Sequence, residues 1–473
     1  MKIVGNGISA IDGSYGFEME LDELYEQIQH ELRQPDAELE YAIKKRSEHI
    51  REAGPPPQID PANLSSTNWG VIWPPRPWNA KEQAHFDALH PLIERRRQQV
   101  RQNSTRRTLR EFEYRPGWSY VRFLEDAGPK VKPGQMNTEK IPYYLLIVGD
   151  PERIPWSFQT NLDGEYAVGR LWFNDPGDCQ AYVTALLAYE DNPASSGRAK
   201  RALLLGTQHA HDPATETSAA HLVRPLHAWL MNHEDAAGLN FQYELLLGNT
   251  PGREATRANF LERMAGPRPP AVWFTAGHGL EWKSPNSQQE AAQGGLVFQD
   301  WSGGGAGKGA FLAGLHAGQE LNPAGSVAFC FACFSAGTPM WQDWVQTGAA
   351  QIAQRPFVAR LPQKLLANGA LGFIGHVSRA WTYSILGAEL DSQQITPFQS
   401  LMLALLRGAR LGHATDYMNY QWGELTKQLL AHLEGEEALS KEQVVNLWLA
   451  RNDFRAYVLL GDPAARLAVE SLA

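Results

Sequence analysis

The sequence has few cysteines and lacks long apolar runs. Only Cys179, Cys330 and Cys333 occur in 473 residues, too few for a disulfide scaffold and without the Cys and His spacing of a structural zinc site. The longest apolar runs, such as 144–148 and 202–205, fall far short of the roughly 20 residues that a membrane-spanning helix needs. We therefore expect reduced cysteines, no metal and no membrane span.

Positive charge is also scarce. The 43 Lys and Arg residues stand against 52 Asp and Glu, a net charge of −9, whereas nucleic-acid binding needs a basic surface. A basic segment followed by an apolar stretch, typical of a secretory signal, is missing from the start. We therefore expect no nucleic-acid partner and a cytoplasmic location.

One stretch is nevertheless rich in arginine. Such a density is typical of a solvated helix face, which we favour, although it also fits a docking surface for an acidic partner. The residues are Arg95, Arg96, Arg97, Arg101, Arg106, Arg107 and Arg110.

The first part of the chain has a helical composition. Apolar residues at three- and four-residue spacing predict a helix over 20–53, and 80–113 is again helical in composition. Between them, the Trp-Pro-Pro-Arg-Pro-Trp run at 73–78 cannot continue a helix. We therefore assign 1–138 to a mainly helical accessory region with a Pro/Trp-rich arm.

From residue 139 onwards, short apolar strands alternate with helical segments. This alternation predicts an α/β fold with a mainly parallel sheet flanked by helices, whose sites form outside the carboxyl ends of the strands. We divide this domain into a leading part, 139–200, and a core, 201–473. The predicted strands are 143–148, 166–171, 202–205, 243–247, 272–275, 327–332, 370–374 and 457–460, and predicted helices cover 178–191, 214–233 and 253–265.

Two of these strands end in residues with catalytic potential. One runs into Gly277-His278-Gly279, and the other runs through Ala332 into Cys333. If the strands are parallel neighbours, a thiol and an imidazole meet at one accessible edge, where the thiolate can attack a peptide carbonyl and the histidine can manage the protons. The backbone N–H of Gly279, with that of Cys333, could bind the oxyanion.

Other interpretations of these residues remain open. A cysteine in an apolar strand is usually a small core residue, and the period of two turns Cys330 to the face opposite Cys333, which predicts a core position for Cys330. His376, at the tip of another strand, is the main rival for the base.

The ordered motifs also carry a family resemblance. The His-Gly tip, the later Ala-Cys tip, the closing Tyr-Val-Leu-Leu-Gly-Asp-Pro at 457–463, and the segments 144–151 and 166–170 resemble the caspase-like cysteine peptidases, particularly gingipain-type enzymes and CHAT-domain proteases, over about residues 141–465. The resemblance implies a caspase-hemoglobinase fold with His278 and Cys333 as the catalytic dyad. Caspases place Gln before the Ala-Cys tip and Arg-Gly after it, so the residues here weaken the expectation of caspase-type aspartate specificity.

Two candidate pockets predict opposite substrate preferences. Asp163 precedes a strand and could pair with a Lys or Arg side chain of the substrate, although an Asx turn explains it equally well. Alternatively, Arg379 could bind an acidic side chain, with Trp381 as a wall of the pocket. We favour the basic substrate.

The glycine-rich stretch 302–309 is not a phosphate-binding loop. Lys308 is followed by Gly309 instead of the Ser or Thr of that motif. We predict a loop between the two dyad strands that orders over substrate or is cut during activation, and we expect no cofactor.

These observations predict a cysteine endopeptidase that forms an acyl-enzyme intermediate and cuts a specific protein partner. The front region would dock a regulatory protein, and the resemblance to CHAT-type proteases implies a bacterial role in defence or regulated cell death. One alternative is a catalytically silent scaffold that binds a partner through the Arg-rich and Trp/Pro-rich front part. Another keeps the dyad but transfers the acyl group to a nucleophile other than water.

Overall fold

The elements of the chain alternate between strands and helices along most of its length. The computed structural model describes residues 2–32, 59–102, 108–128, 136–303, 310–314, 321–342, 350–386 and 394–473. The strands are β1 Lys2–Val4, β2 Gly7–Ser9, β3 Glu18–Glu20, β4 Trp69–Trp73, β5 Arg110–Glu113, β6 Tyr144–Val148, β7 Ala167–Leu171, β8 Ala199–Gly206, β9 Gln242–Leu247, β10 Pro270–Ala276, β11 Gly279–Glu281, β12 Leu296–Val297, β13 Phe311–Leu312, β14 Val327–Phe331, β15 Gly337–Thr338, β16 Phe357–Val358, β17 Gly372–His376 and β18 Tyr457–Gly461.

Most helices lie between strands of this series. They are α1 Leu21–Leu32, α2 Leu64–Thr67, α3 Ala80–Arg101, α4 Tyr120–Ala127, α5 Trp156–Asp163, α6 Pro176–Asp191, α7 Pro213–Ser218, α8 Arg224–Asn232, α9 Glu234–Ala237, α10 Arg257–Ala265, α11 Gln289–Ala292, α12 Arg360–Ala367, α13 Thr396–Leu406, α14 Leu411–Leu433 and α15 Lys441–Arg455. A π-helical turn, Ala219–Val223, joins α7 to α8. Within the part of the chain that the structure describes, none of these helices has both the length and the apolarity needed to cross a membrane.

A ten-stranded sheet forms the centre of the protein. Its order is β5-β4-β6-β7-β18-β17-β14-β10-β8-β9. All neighbouring pairs are parallel except β17 and β18, which run antiparallel with His376 opposite Tyr457. The central strands are buried along their whole length, as expected when helices cover both faces of a parallel sheet. The predicted α/β fold with a mainly parallel sheet is confirmed.

Each strand predicted from the sequence lies in this sheet, with its ends shifted by a few residues. The helix predicted over 80–113 is wrong at its end, since α3 stops at Arg101 and Arg110–Glu113 forms edge strand β5 beside β4. The helix predicted over 20–53 begins at Leu21 and is described as far as Leu32. Residues 33–58 lie outside the described part of the chain.

Residues before position 138 also contribute to the central sheet. Strand β4 carries the run Trp-Gly-Val-Ile-Trp, pairs with β5 on one side and β6 on the other, and is buried throughout. The sequence analysis did not predict either strand, because Pro-rich segments surround β4 and three of the four residues of β5 are charged. The domain boundaries proposed at 138 and 200 stay predictions, but the sheet extends across both.

The interpretation of the arginine-rich stretch as a solvated helix face is wrong at its centre. Arg96 has no exposed surface, and its Nε donates to the Oδ2 of Asp462 at 2.7 Å while its Nη2 donates to Glu190 at 2.6 Å. The stretch thus holds helix α3 against the Gly-Asp-Pro turn after β18, because a buried guanidinium needs carboxylate partners. Arg106 and Arg107 lie outside the described residues.

A four-stranded sheet, with order β13-β12-β11-β2, lies next to the end of β10. Strand β11 begins directly after His278 and pairs in parallel with β2, Gly279 lying opposite Gly7. The start of the described chain is therefore brought to the carboxyl end of β10, the place where the sequence predicts catalysis.

Candidate active site

Three neighbouring strands bring polar side chains to one edge of the sheet. Strand β10 pairs in parallel with β14 on one side and with β8 on the other, and Ala276 lies opposite both Phe331 and Gly206. His278 follows β10 and Cys333 follows β14, each two residues beyond this matched row. The structure therefore places both predicted dyad residues at the same edge, with Asp212 in the segment after β8.

The imidazole of His278 is held on both nitrogens. Its Nε2 is hydrogen-bonded to the carboxylate of Asp212, and its Nδ1 lies 2.9 Å from the carbonyl oxygen of Asn6. Both partners are hydrogen-bond acceptors, one on each side of the ring. The orientation of the ring is therefore set by Asp212 and Asn6.

Asp212 is a catalytic-site candidate that the sequence analysis missed. Its side chain also accepts a hydrogen bond from the hydroxyl of Tyr15 and caps helix α7 through the N–H of Thr215. Burial raises the pKa of Asp212, but the hydrogen bond and charge of His278 and the bond from Tyr15 outweigh it and hold the pKa well below its usual value. The carboxylate is therefore ionised beside the ring of His278.

A second histidine lies near this pair. The ring of His209 is stacked with that of His278 at a centroid distance of 6.3 Å. Burial, together with the positive charge of His278, lowers the pKa of His209, so His209 is neutral at pH 7 and adds no competing charge to the site.

The thiol of Cys333 is fully buried. The backbone N–H of Ala380 donates to its Sγ at 3.1 Å. Burial raises the pKa of Cys333 well above its usual value, although the bond from Ala380 acts in the opposite direction. The sulfur is therefore a protonated thiol in this state, and the accessible edge expected from the sequence is covered at this point.

The backbone around Cys333 is tightly constrained. A methyl group added to Gly279 would lie 2.0 Å from the carbonyl oxygen of Cys333, so only glycine fits after the histidine. Phe334 adopts a left-handed conformation with φ of 56°, which is rare for a bulky residue. Its N–H donates to the carbonyl of Ser378 at 2.8 Å, which holds the sharp turn that follows Cys333 beyond the end of β14.

The rival residues occupy structural positions. His376 is buried, with its Nδ1 2.9 Å from the carbonyl oxygen of Ser378 and its Nε2 3.0 Å from that of Asp453. Burial raises the pKa of Cys330 to about 12 despite a hydrogen bond to Thr275, and burial likewise raises that of Cys179 to about 12.

Among the described residues, no cluster of three or more His, Cys, Asp or Glu side chains is arranged to hold a metal ion.

A cavity of about 130 Å³ lies beside the loop that contacts Cys333. Of the predicted pocket residues, Arg379 and Trp381 line it together with Trp156 and Arg455. The guanidinium of Arg379 is buried in an ion pair with Glu281, with its Nε 3.1 Å from Oε2.

Asp163 lies outside the lining of this cavity. Its carboxylate is buried and accepts the N–H of Val168 at 3.1 Å. Burial raises the pKa of Asp163 well above its usual value, although the bond from Val168 lowers it. This placement favours a structural role, in which Asp163 at the end of α5 binds the backbone of β7, over a pocket for a basic side chain.

Comparisons with known proteins agree with this architecture. A solved structure titled "Structure of Protease" is similar to the chain with a TM-score of 0.50 and 13% identity, covering 84% of this chain and 78% of that one. A weaker likeness, with a TM-score of 0.34 and 10% identity, links 68% of this chain to 15% of a chain in a Saccharomyces cerevisiae separase-securin complex. Among curated protein sequences, none matches the chain.

A match to a protein-family model identifies the family of the chain. The model of peptidase family C25 matches residues 133–468, well over half of the chain. This match confirms the resemblance to gingipain-type, caspase-like enzymes that the strand-end motifs indicated. The chain therefore belongs to peptidase family C25, the gingipain family of cysteine peptidases.

Proposed function

We propose that the protein is an endopeptidase in which Cys333 is the nucleophile, His278 transfers protons and Asp212 orients His278. One observation carries the proposal: the adjacent ends of parallel strands β8, β10 and β14 bring these three side chains to one edge of the sheet. A nucleophile, a base and a group that orients the base are the parts that acyl transfer requires.

The proposed reaction has two stages. The thiol of Cys333 gives its proton to His278, and the thiolate attacks the carbonyl carbon of the scissile peptide bond. The C–N bond breaks as His278 protonates the leaving amine, which leaves a thioester on Cys333. Water attacks the thioester while His278 accepts its proton, and the C–S bond breaks to give the free acid and the thiol.

Nδ1 of His278 is the nitrogen suited to this proton transfer. Nε2 is bound to Asp212, whereas Nδ1 contacts only a backbone carbonyl of Asn6 that another group can replace. We further propose that the N–H groups of Gly279 and Cys333 stabilise the oxyanion, because the backbones of these residues pack directly against each other.

A peptidyl chloromethylketone tests this assignment. The reagent is expected to form a thioether on Cys333, with loss of chloride, and to leave Cys179 and Cys330 unmodified in the same peptide map. The adduct should disappear in His278→Ala, because the thiolate would no longer form beside a proton acceptor. Equal labelling of all three cysteines, or labelling of Cys333 that survives in His278→Ala, would contradict the proposed dyad.

For substrate selection, we propose a preference for an acidic side chain. The cavity beside the Cys333 loop is lined by Arg379 and Arg455 with two tryptophans as walls. Glu281 neutralises Arg379, whereas Arg455 is hydrogen-bonded to the uncharged side chain of Asn161. Arg455 is therefore the cation suited to a carboxylate of the substrate.

Paired peptides that differ only in Asp or Lys before the cut test this preference. The Asp peptide is expected to be cleaved faster, and Arg455→Met should reduce its kcat/KM by about tenfold, a typical loss for one charged hydrogen bond. Arg407→Met, on an exposed side chain elsewhere, is the matched control. Faster cleavage of the Lys peptide would return the specificity to the basic preference first favoured from the sequence.

The biological setting remains part of the proposal. Resemblance to CHAT-type proteases supports a role in bacterial defence or regulated cell death, through the cutting of one dedicated protein. Identification of the proteins cleaved by the wild-type chain but not by Cys333→Ala in a lysate would test it.

A further inference from the structure

Residues 5–17, here called the covering segment, run across the proposed active site. The segment contains strand β2, which pairs in parallel with β11 directly after His278, so that Gly7 lies opposite Gly279. It then turns back, and Gly16 donates its N–H to the carbonyl of Gly7 at 2.9 Å. Addition of an extended segment to a strand edge is a common way for a protein to bind a peptide.

Asn6 occupies the proton-transfer position. Its carbonyl oxygen lies within hydrogen-bond distance of Nδ1 of His278, at 2.9 Å. Its N–H donates to the carbonyl of Ala380 at 3.0 Å, and its side-chain amide donates to the carbonyl of Gly277 at 3.1 Å. A substrate cannot engage Nδ1 of His278 while Asn6 is bound there.

The glycines of the segment allow it to lie directly over the site. A methyl group on Gly7 would lie 3.3 Å from Sγ of Cys333, and one on Gly16 would lie 1.9 Å from Oε2 of Glu281. Both glycines have their open faces against site residues, which explains why the sulfur has no exposed surface. A side chain at position 16 cannot fit unless the segment or the Glu281 side chain moves.

The far end of the segment contacts the other site residues. Tyr15 donates a hydrogen bond to Asp212, and the ring of Phe17 packs edge-on against Trp381 at a centroid distance of 5.4 Å. The Arg379 guanidinium lies 5.7 Å from the centre of the Phe17 ring. The covering segment thus contacts the proposed orienting carboxylate, base, nucleophile and pocket wall at once.

We propose that the covering segment is an internal inhibitor, which blocks the site in the described state and must leave it before substrate binds. The proposal rests on the proposed function, because it concerns access to the same Cys333 and His278. The segment is joined to the site by hydrogen bonds and ring contacts and carries small residues where it is closest. Its departure exposes the thiol and frees Nδ1 without breaking the central sheet.

Displacement of the segment by a single side chain tests the inference in the full chain. Gly16→Leu places a side chain against buried Glu281, while the matched control Gly423→Leu adds one where a methyl group meets no atom within 4 Å. We expect Gly16→Leu to raise the rate of Cys333 alkylation by iodoacetamide by at least about tenfold, which corresponds to a shift of about 1.4 kcal/mol in the closed-to-open equilibrium. The control should match the wild type.

A second variant tests the inference if Gly16→Leu does not fold. Phe17→Ala removes the contacts with Trp381 and Arg379 at a partly exposed position, and should also raise the alkylation rate. Thermal unfolding of each variant shows whether it is folded, and peptide mapping shows which cysteine reacts. An alkylation rate of Cys333 equal to that of the wild type in folded Phe17→Ala would overturn the inference.

Peptide hydrolysis separates this inference from the proposed function. Faster alkylation together with faster hydrolysis supports both. Faster alkylation with no hydrolysis in any variant supports the inhibitory role of the covering segment but contradicts the proposed peptidase activity. Equal alkylation and equal hydrolysis in the wild type and both variants contradict the inhibitory role of the covering segment and are consistent with the proposed peptidase activity.

Discussion

Replacing Cys333 with alanine is expected to lower kcat for peptide hydrolysis by about 10³- to 10⁶-fold, the range seen when a covalent nucleophile is removed. The loss has this size because the thioester can no longer form, and only binding and oxyanion contacts would remain. The measurement is hydrolysis of a fluorogenic peptide in the full chain. It should be repeated in the Gly16→Leu background, so that access to the site does not limit the rate.

Cys330→Ala is the matched control for this experiment. Cys330 lies three positions earlier, within strand β14, and is buried as completely as Cys333. Its replacement also removes one sulfur from the same strand, so any general effect on folding should be shared. Loss of hydrolysis to the same extent in both variants would show that the strand, and not the thiol of Cys333, is what matters.

Asp212→Asn is expected to reduce kcat by about 10²- to 10⁴-fold, approaching the loss caused by neutralising the aspartate of a Ser-His-Asp triad. The amide cannot stabilise the imidazolium of His278 as a carboxylate does. It can also present its N–H to Nε2, which favours the wrong orientation of the imidazole ring. Because Asp212 contacts His278 and not the proposed pocket, KM should change little. Exposed Asp235→Asn is the control.

The same variant has an expected pH signature in stability. The folded pKa of Asp212 lies below its unfolded value, which is about 3.9 for a free aspartate. The carboxylate therefore stabilises the fold above that pH, and its contribution is lost as the pH falls through the folded pKa. The stability difference between wild type and Asp212→Asn should be full at pH 7 and shrink below about pH 4. An equal reduction of kcat in Asp235→Asn, or a stability difference that grows with acid, would contradict this role.

The strand-end motifs could be identified from the sequence because they depend on local chemistry. An apolar run that ends in Gly-His-Gly or in Ala-Cys marks the carboxyl end of a buried strand, where a parallel sheet exposes its sites. By contrast, Asp212 stands before a proline at the start of a helix, a pattern that ordinary helix caps share. The position of Asp212 beside His278 depends on the pairing of β8 with β10.

Charge patterns predicted the environment of a residue less reliably than apolar patterns did. Arg96 belongs to a run of arginines that normally indicates solvent exposure, yet it is buried against Asp462, 366 residues away. Asp163 was a candidate for a substrate pocket, but its carboxylate accepts the N–H of Val168 in strand β7. A charged side chain has no fixed environment until its partner is known, and that partner is set by the packing of distant segments.

The amino-acid sequence by itself determined the alternation of strands and helices, the α/β class, and the histidine and cysteine on which the proposed chemistry depends. These follow from side-chain spacing and from glycines that only certain backbone positions require. Tertiary structure alone decided the order of the strands, the alignment of Asp212 with His278, and the position of the covering segment. Asn6 and His278 are separated by 272 residues, and contacts of that range arise from the packing of the whole core, which no local pattern encodes.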